Sequence, residues 1–200
     1  MKKVFFSLVL VAGVSGLAQA QSVQIGIKAG ANLATISGDD ADQNNKNRVG
    51  PIGGVAFQFG LAPKNFIALQ PEILYSVKGT RTENGAVESK LTLHYLDIPV
   101  LLRINADGPF FELGPQVGVL VAAKNELRSG SSSISGTDKE PYNTVDLGGV
   151  AGVGYQFSSG PSIGIRYNQG FTPIYKDIAG NKVKAYNSVF QFQLGYLLGR

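Results

Sequence analysis

Few residues of this 200-residue chain have the type and spacing to do chemistry. There is one histidine, His94, and no cysteine, which excludes histidine-clustered metal sites, thiol chemistry and a disulfide framework. A lone histidine can serve as the base of a serine hydrolase, but neither a G-x-S-x-G elbow nor an adjoining Ser/His pair accompanies it. His94 therefore reads as a polar strand or rim residue, and no catalytic residue is nominated. Asp39-Asp40-Ala41-Asp42 offers carboxylates to a divalent cation, yet it lacks the glycine and distal glutamate of an EF-hand loop and reads as a solvated acidic loop. The glycines from Gly148-Gly149 to Gly154 precede no helix that could cradle a phosphate, so close strand packing accounts for them. No metal or cofactor is expected.

The remaining ionisable candidates are Lys28, Glu72, Asp97, Arg103, Glu112, Asp146 and Arg166, with Gln58, Gln70, Gln116, Gln156, Gln191 and Gln193 between them. They suit either a binding or selectivity constellation or a set of charges that neutralise one another in a confined interior. The second is the expectation, because charges withdrawn from water must pair and hydrogen-bond.

These residues sit on segments that alternate with a period of two, and no period of 3.6 stands out anywhere. The first, about residues 23–35, sets Ile25, Ile27, Ala29, Ala31 and Leu33 against Gly26, Lys28, Gly30 and Asn32. The second spans about 52–61 and the third about 65–78, where Ile67, Leu69, Ile73, Tyr75 and Val77 oppose Gln70, Glu72, Ser76 and Lys78. In the fourth, about 91–104, Leu96, Ile98, Val100, Leu102 and Ile104 lie outward while Leu91, Leu93 and Tyr95 have the other parity, which a bulge near Tyr95 would reconcile. Further alternating segments occupy about 110–123, 144–157, 162–171 and 188–198. Pro71, Pro99 and Pro115 each remove a ladder donor and are expected at bulges or near rims.

Connections alternate long and short in strict order. The long ones run about 36–51, 79–90, 124–143 and 172–187; the short ones are Ala62-Pro63-Lys64, Asn105 to Gly108 and Ser158 to Pro161. An eight-stranded antiparallel up-and-down transmembrane β-barrel has this pattern, with short inner turns and long outer loops. A soluble eight-stranded barrel would invert every face. Side-chain size decides against it: the apolar faces carry Phe, Tyr, Ile, Leu and Val, and the others are mostly Gly, Ala and Gln, which suit a narrow interior.

Composition agrees, with 26 glycines, 19 Phe and Tyr, no tryptophan and only 16% charged residues. Lys2 and Lys3, the apolar run from Val4 to Leu17 and Ala18-Gln19-Ala20 read as an export signal cleaved after Ala20, leaving 21–200 as one barrel domain. The mature formal charge falls from +4 to about +2 without clustered Lys/Arg, which argues against nucleic-acid binding.

The segments GIKAGANLATISG, LQPEILYSVKG, LHYLDIPVLLR, FFELGPQVGVLVA, DLGGVAGVGYQF, IRYNQGF and FQFQLGYLL, taken in order, make the chain resemble the PorT-like outer-membrane β-barrel family common in Bacteroidota. Such families put Glu where Asp97 stands, and many outer-membrane chains end in an aromatic where this one ends Leu198-Gly199-Arg200. The resemblance implies an integral outer-membrane location and little about activity, because a fold does not determine a function. The expected role is structural, surface-interacting or secretion-accessory, presented by four outer loops. The alternatives are a small-solute channel and, further off, a lipid-modifying enzyme. Expected partners are outer-membrane lipid and an envelope or extracellular protein reached through the long loops; the barrel itself is expected to be monomeric.

Overall fold

The computed structural model describes residues 23–42, 44–85, 87–130, 132–177 and 183–198. The export signal and its cleavage point lie outside them. Strands are β1 (Val23–Ser37), β2 (Asn45–Lys46), β3 (Arg48–Gly60), β4 (Ile67–Asn84), β5 (Val87–Asn105), β6 (Pro109–Ser129), β7 (Ser132–Thr137), β8 (Val145–Gln156), β9 (Pro161–Gly170) and β10 (Tyr186–Leu198). Eight of them close a ring in the order β1, β3, β4, β5, β6, β8, β9, β10, and β10 pairs back onto β1 from Leu198 opposite Ile25 to Tyr186 opposite Ser37. All neighbours are antiparallel, and closure leaves no free edge within the wall.

Alternation in the sequence becomes inside and outside in the ring. Large apolar side chains point out: Leu113 is 66% exposed, Leu194 63% and Phe111 54%, with Ile25, Ile27, Ile163 and Phe192 beside them. Polar ones point in, and Gln70, Glu72, Lys78 and Asp97 are fully buried. A soluble protein would leave this apolar belt in water, whereas a bilayer covers it and makes a polar interior compatible with an apolar surround. The short connections use the conformations that tight turns need. Asn65 and Asp107 have φ of 55° and 50°, and Gly160, at φ 108°, ends the β8–β9 turn.

Three expectations need correction. A register shift does occur at Tyr95, but the extra residue lies on β6: His94 pairs with Ala122 and Tyr95 with Leu120, so Val121 is skipped. The parity of β5 runs unbroken, and Leu91, Leu93 and Tyr95 face inward with Asp97 and Arg103. The three prolines are at neither bulges nor rims. They stand within the strands where the ladder is interrupted: Ala56 pairs with Glu72 but the next pair across Pro71 is Phe59 with Leu69, Pro71–Val100 is followed by Leu74–Asp97 across Pro99, and Pro99–Gln116 by Leu102–Leu113 across Pro115. A missing N–H thus costs local pairing without ending the strand, because residues on both sides stay in register. Lastly, much of the second and third long loops is sheet. β4 and β5 pair out to Asn84 and Val87, and β6 and β7 from Lys124–Thr137 to Ser129–Ser132. Their Thr, Leu and alternating charged residues form cross-strand pairs as readily above the bilayer as within it.

Candidate functional site

Inside the wall the charges meet in two groups. In the inner half, Glu72 on β4 is the hub. Its carboxylate accepts from Lys28 Nζ on β1 at 2.6 Å, from Arg166 on β9 through both terminal nitrogens at 2.7 Å, and from Gln70 Nε2 at 2.6 Å. Arg166 Nε also donates to Glu112 on β6, so one guanidinium bridges two carboxylates. Two cations and two anions from four strands thereby neutralise one another, with planar bidentate geometry at Arg166. Arg103 on β5 lies closer to the inner end, its guanidinium 3.5 Å from the centre of the Phe110 ring and donating to Gln70, Gln156 and Asn105.

In the outer half, Lys78 on β4 lies between Asp97 on β5 and Asp146 on β8, with Nζ 3.0 Å and 3.7 Å from their oxygens. Asn187 Nδ2 donates to Asp146 at 2.8 Å and to the Tyr95 hydroxyl at 3.3 Å, and Lys78 lies over the Tyr95 ring. Of the seven charged candidates, Lys28, Glu72, Glu112 and Arg166 come together, Arg103 reaches that group through Gln70, and Asp97 and Asp146 meet through Lys78. Lys78 was absent from that set. Its parity with Glu72 and Ser76 was the available signal, since all three share the polar face of β4.

Above this level the interior turns apolar. Leu91, Leu93, Tyr95, Leu120 and Ala123 from the wall pack against Ile36, Tyr142, Ile174 and Ala185 in one buried cluster that caps the outer mouth. The connecting segments are tied together over it. Asn143 Nδ2 donates to the carbonyls of Pro173 and Tyr175 at 2.9 and 3.0 Å, and Ile174 N donates to Ala185 O. Burial pushes the Tyr142 and Tyr175 phenols above their ordinary range. Beside the cap, a recess of about 210 Å³ is lined by Asp40, Asp42, Asn45, Thr80, Thr82 and Ser89 among others. The acidic loop is engaged in its own turns here: Asp40 accepts from Lys184 N, Asp42 from Asn44 N, and Asp39 pairs with Lys184 Nζ.

Among the described residues His94 is bonded to a tyrosine of the neighbouring strand. Its Nδ1 shares a 2.6 Å hydrogen bond with the Tyr75 hydroxyl on the outer face of the wall. Among the described residues no group of three or more His, Cys, Asp or Glu is arranged to hold a metal.

Outside the ring, β2, β4, β5, β6 and β7 form one projecting sheet. Its charged face is paired along and across strands, with Arg81 to Glu83 on β4 and Glu88 on β5, and Glu126 on β6 to Lys124 beside it and Lys90 on β5. Among the described residues its last strand, β7, pairs with β6 alone. All six of its residues, Ser-Ser-Ile-Ser-Gly-Thr, are exposed, and Ile134, 74% exposed, stands directly opposite Leu127.

Known proteins share this architecture. A family model described as outer membrane protein beta-barrel domain matches residues 18–176. No curated protein matches the chain. Among solved structures, Ail, the attachment invasion locus protein of Yersinia pestis, is similar with a TM-score of 0.50 at 13% identity, over 88% of this chain and 98% of that one. Ail in complex with the heparin analogue sucrose octasulfate gives 0.50 at 12% identity, over 88% and 99%. Neisserial surface protein A gives 0.47 at 13% identity, over 88% and 98%. Identities this low speak for the fold alone.

Proposed function

The chain belongs to the outer membrane protein beta-barrel domain family, and from that premise we propose that the barrel is a non-catalytic anchor whose projecting sheet docks an extended segment of an envelope or extracellular protein along β7. The observation that carries this reading is the edge of β7. An edge strand normally carries charge, proline or a covering loop to block pairing with another chain, and Ser132–Thr137 has no charge and no proline. Its main-chain groups offer a partner strand hydrogen bonds, and the Ile134–Leu127 pair offers an apolar seat for alternate side chains. Ail, named for attachment, has the same fold, and the PorT-like resemblance of the strand motifs favours an envelope partner such as a secretion complex. Integral placement in the outer membrane follows from the family. Export by the N-terminal signal is part of the proposal, and the mature protein is expected to begin at Gln21 when its N-terminus is sequenced.

The test places a photo-crosslinking residue at Ser133 in living cells. The reading expects a discrete protein adduct there and none when the same group replaces Asp107 in the inner β5–β6 turn. Ile134→Lys, which puts a charge on the edge strand, is expected to abolish the adduct without lowering the amount of folded barrel. Adducts unaffected by Ile134→Lys would remove β7 as the docking element. The channel reading has less support, because the interior is occupied by paired charges below and the apolar cap above.

A further inference from the structure

We propose that the outer half of the lumen binds one small monovalent cation, held by oxygens of Asp97, Asp146 and Asn187. The charge inventory is the first reason. Lys78 supplies one positive charge to two carboxylates, and the three side chains are between 0% and 6% exposed, so the group carries a net negative charge away from water. An uncompensated buried charge is strongly unfavourable.

The unpartnered atoms are the second, independent reason. Lys78 occupies one oxygen of each carboxylate, and Asn187 spends its NH₂ group on Asp146 and Tyr95. What remains is Oδ2 of Asp97, Oδ1 of Asp146 and Oδ1 of Asn187, each buried without a hydrogen-bond partner. All three are acceptors. A group of hard oxygen donors with one excess negative charge matches a cation, and a single charge balances it.

Glycines let the two carboxylates approach each other. Asp97, Gly118 and Asp146 lie opposite one another on β5, β6 and β8, so the two carboxylates meet above a residue with no side chain. A Cβ at Gly118 would stand 2.7 Å from Asp97 Oδ1, and one at Gly170 would stand 2.8 Å from Asp146 Oδ1. The Arg166 group below and the apolar cap above enclose the site, so the ion is taken up as the barrel folds.

The experiment uses full-length protein folded in detergent micelles and unfolded by heat in sodium chloride or in N-methylglucamine chloride of equal ionic strength. The wild type is expected to melt several degrees higher in sodium, by an increment that grows with the logarithm of sodium concentration. Asp97→Asn neutralises the group without an ion. It is expected to melt no lower than wild type in N-methylglucamine and to lose the sodium increment. Equal melting of the wild type in both salts, or an undiminished increment in Asp97→Asn, would overturn the proposal. If that variant does not fold, wild type refolded in rubidium chloride and examined by native mass spectrometry decides: one retained rubidium supports the site, and none refutes it.

Discussion

Glu72 illustrates how single residues hold this barrel together, since its carboxylate receives Lys28, Arg166 and Gln70 at once. Glu72→Ala would leave a lysine and an arginine facing each other in a narrow interior. We expect a loss of unfolding free energy on the order of 3–5 kcal/mol, measured by urea unfolding of the folded protein. Stability equal to wild type would show that water reaches these cations. Tyr142 and Tyr175 give a second expectation, above the bilayer. Folding raises both phenol pKa values, so the stability they contribute is complete below the ordinary phenol value of about 10 and is lost as pH rises through the higher folded values. Phenolate absorbance should therefore show a late-titrating fraction in the folded protein that shrinks in Tyr142→Phe. Simultaneous ionisation of all tyrosines would contradict the buried cap.

At the scale of the strand, the three prolines define a weakness that crosses the wall from β3 to β6. The interruptions at Pro71, Pro99 and Pro115 fall on successive pairings, so carbonyls that lose a ladder donor lie on successive strands. Hydrogen exchange in micelles should be faster at Phe57, Glu72 and Val100, which face a proline where the ladder is interrupted, than at Leu96 and Val119, which are in regular ladder pairs. Uniform protection along β5 would mean that the gaps are closed in solution. The strands themselves were readable from alternation, whereas the bulge was only half readable. Apolar Leu91, Leu93 and Tyr95 looked misplaced because a polar lumen was assumed for their whole length, and the cap that accepts them is built from residues far away in sequence.

For the whole molecule, a filled eight-stranded interior predicts the absence of any large, long-lived conductance when the purified protein enters planar bilayers, since open aqueous channels take about sixteen strands. A stable porin-sized current would promote the transport reading. Orientation can be tested on intact cells. A protease of broad specificity should cut near exposed Arg128 or Lys139, on either side of the β6–β7 hairpin tip, while the β5–β6 turn stays protected. Loss of that turn first would place the projecting sheet in the periplasm.

Strand number, the inward and outward faces and the order of short and long connections were already present in the sequence, because a period of two and turn residues such as Asp107-Gly108 are local properties. The charged candidates were likewise legible as lumen residues, but their partners were not. Arg166 meets Glu72 across 94 positions of chain, and Lys78 reaches Asp146 over a strand that contributes only Gly118 between Asp97 and Asp146. Which charges meet depends on the closure and stagger of the ring, a property of all eight strands together. The β7 edge was also decided by tertiary structure. Ser132–Thr137 is a polar, turn-like sequence, and it becomes a strand because β6 continues past the end of β8 and offers it an unpaired ladder.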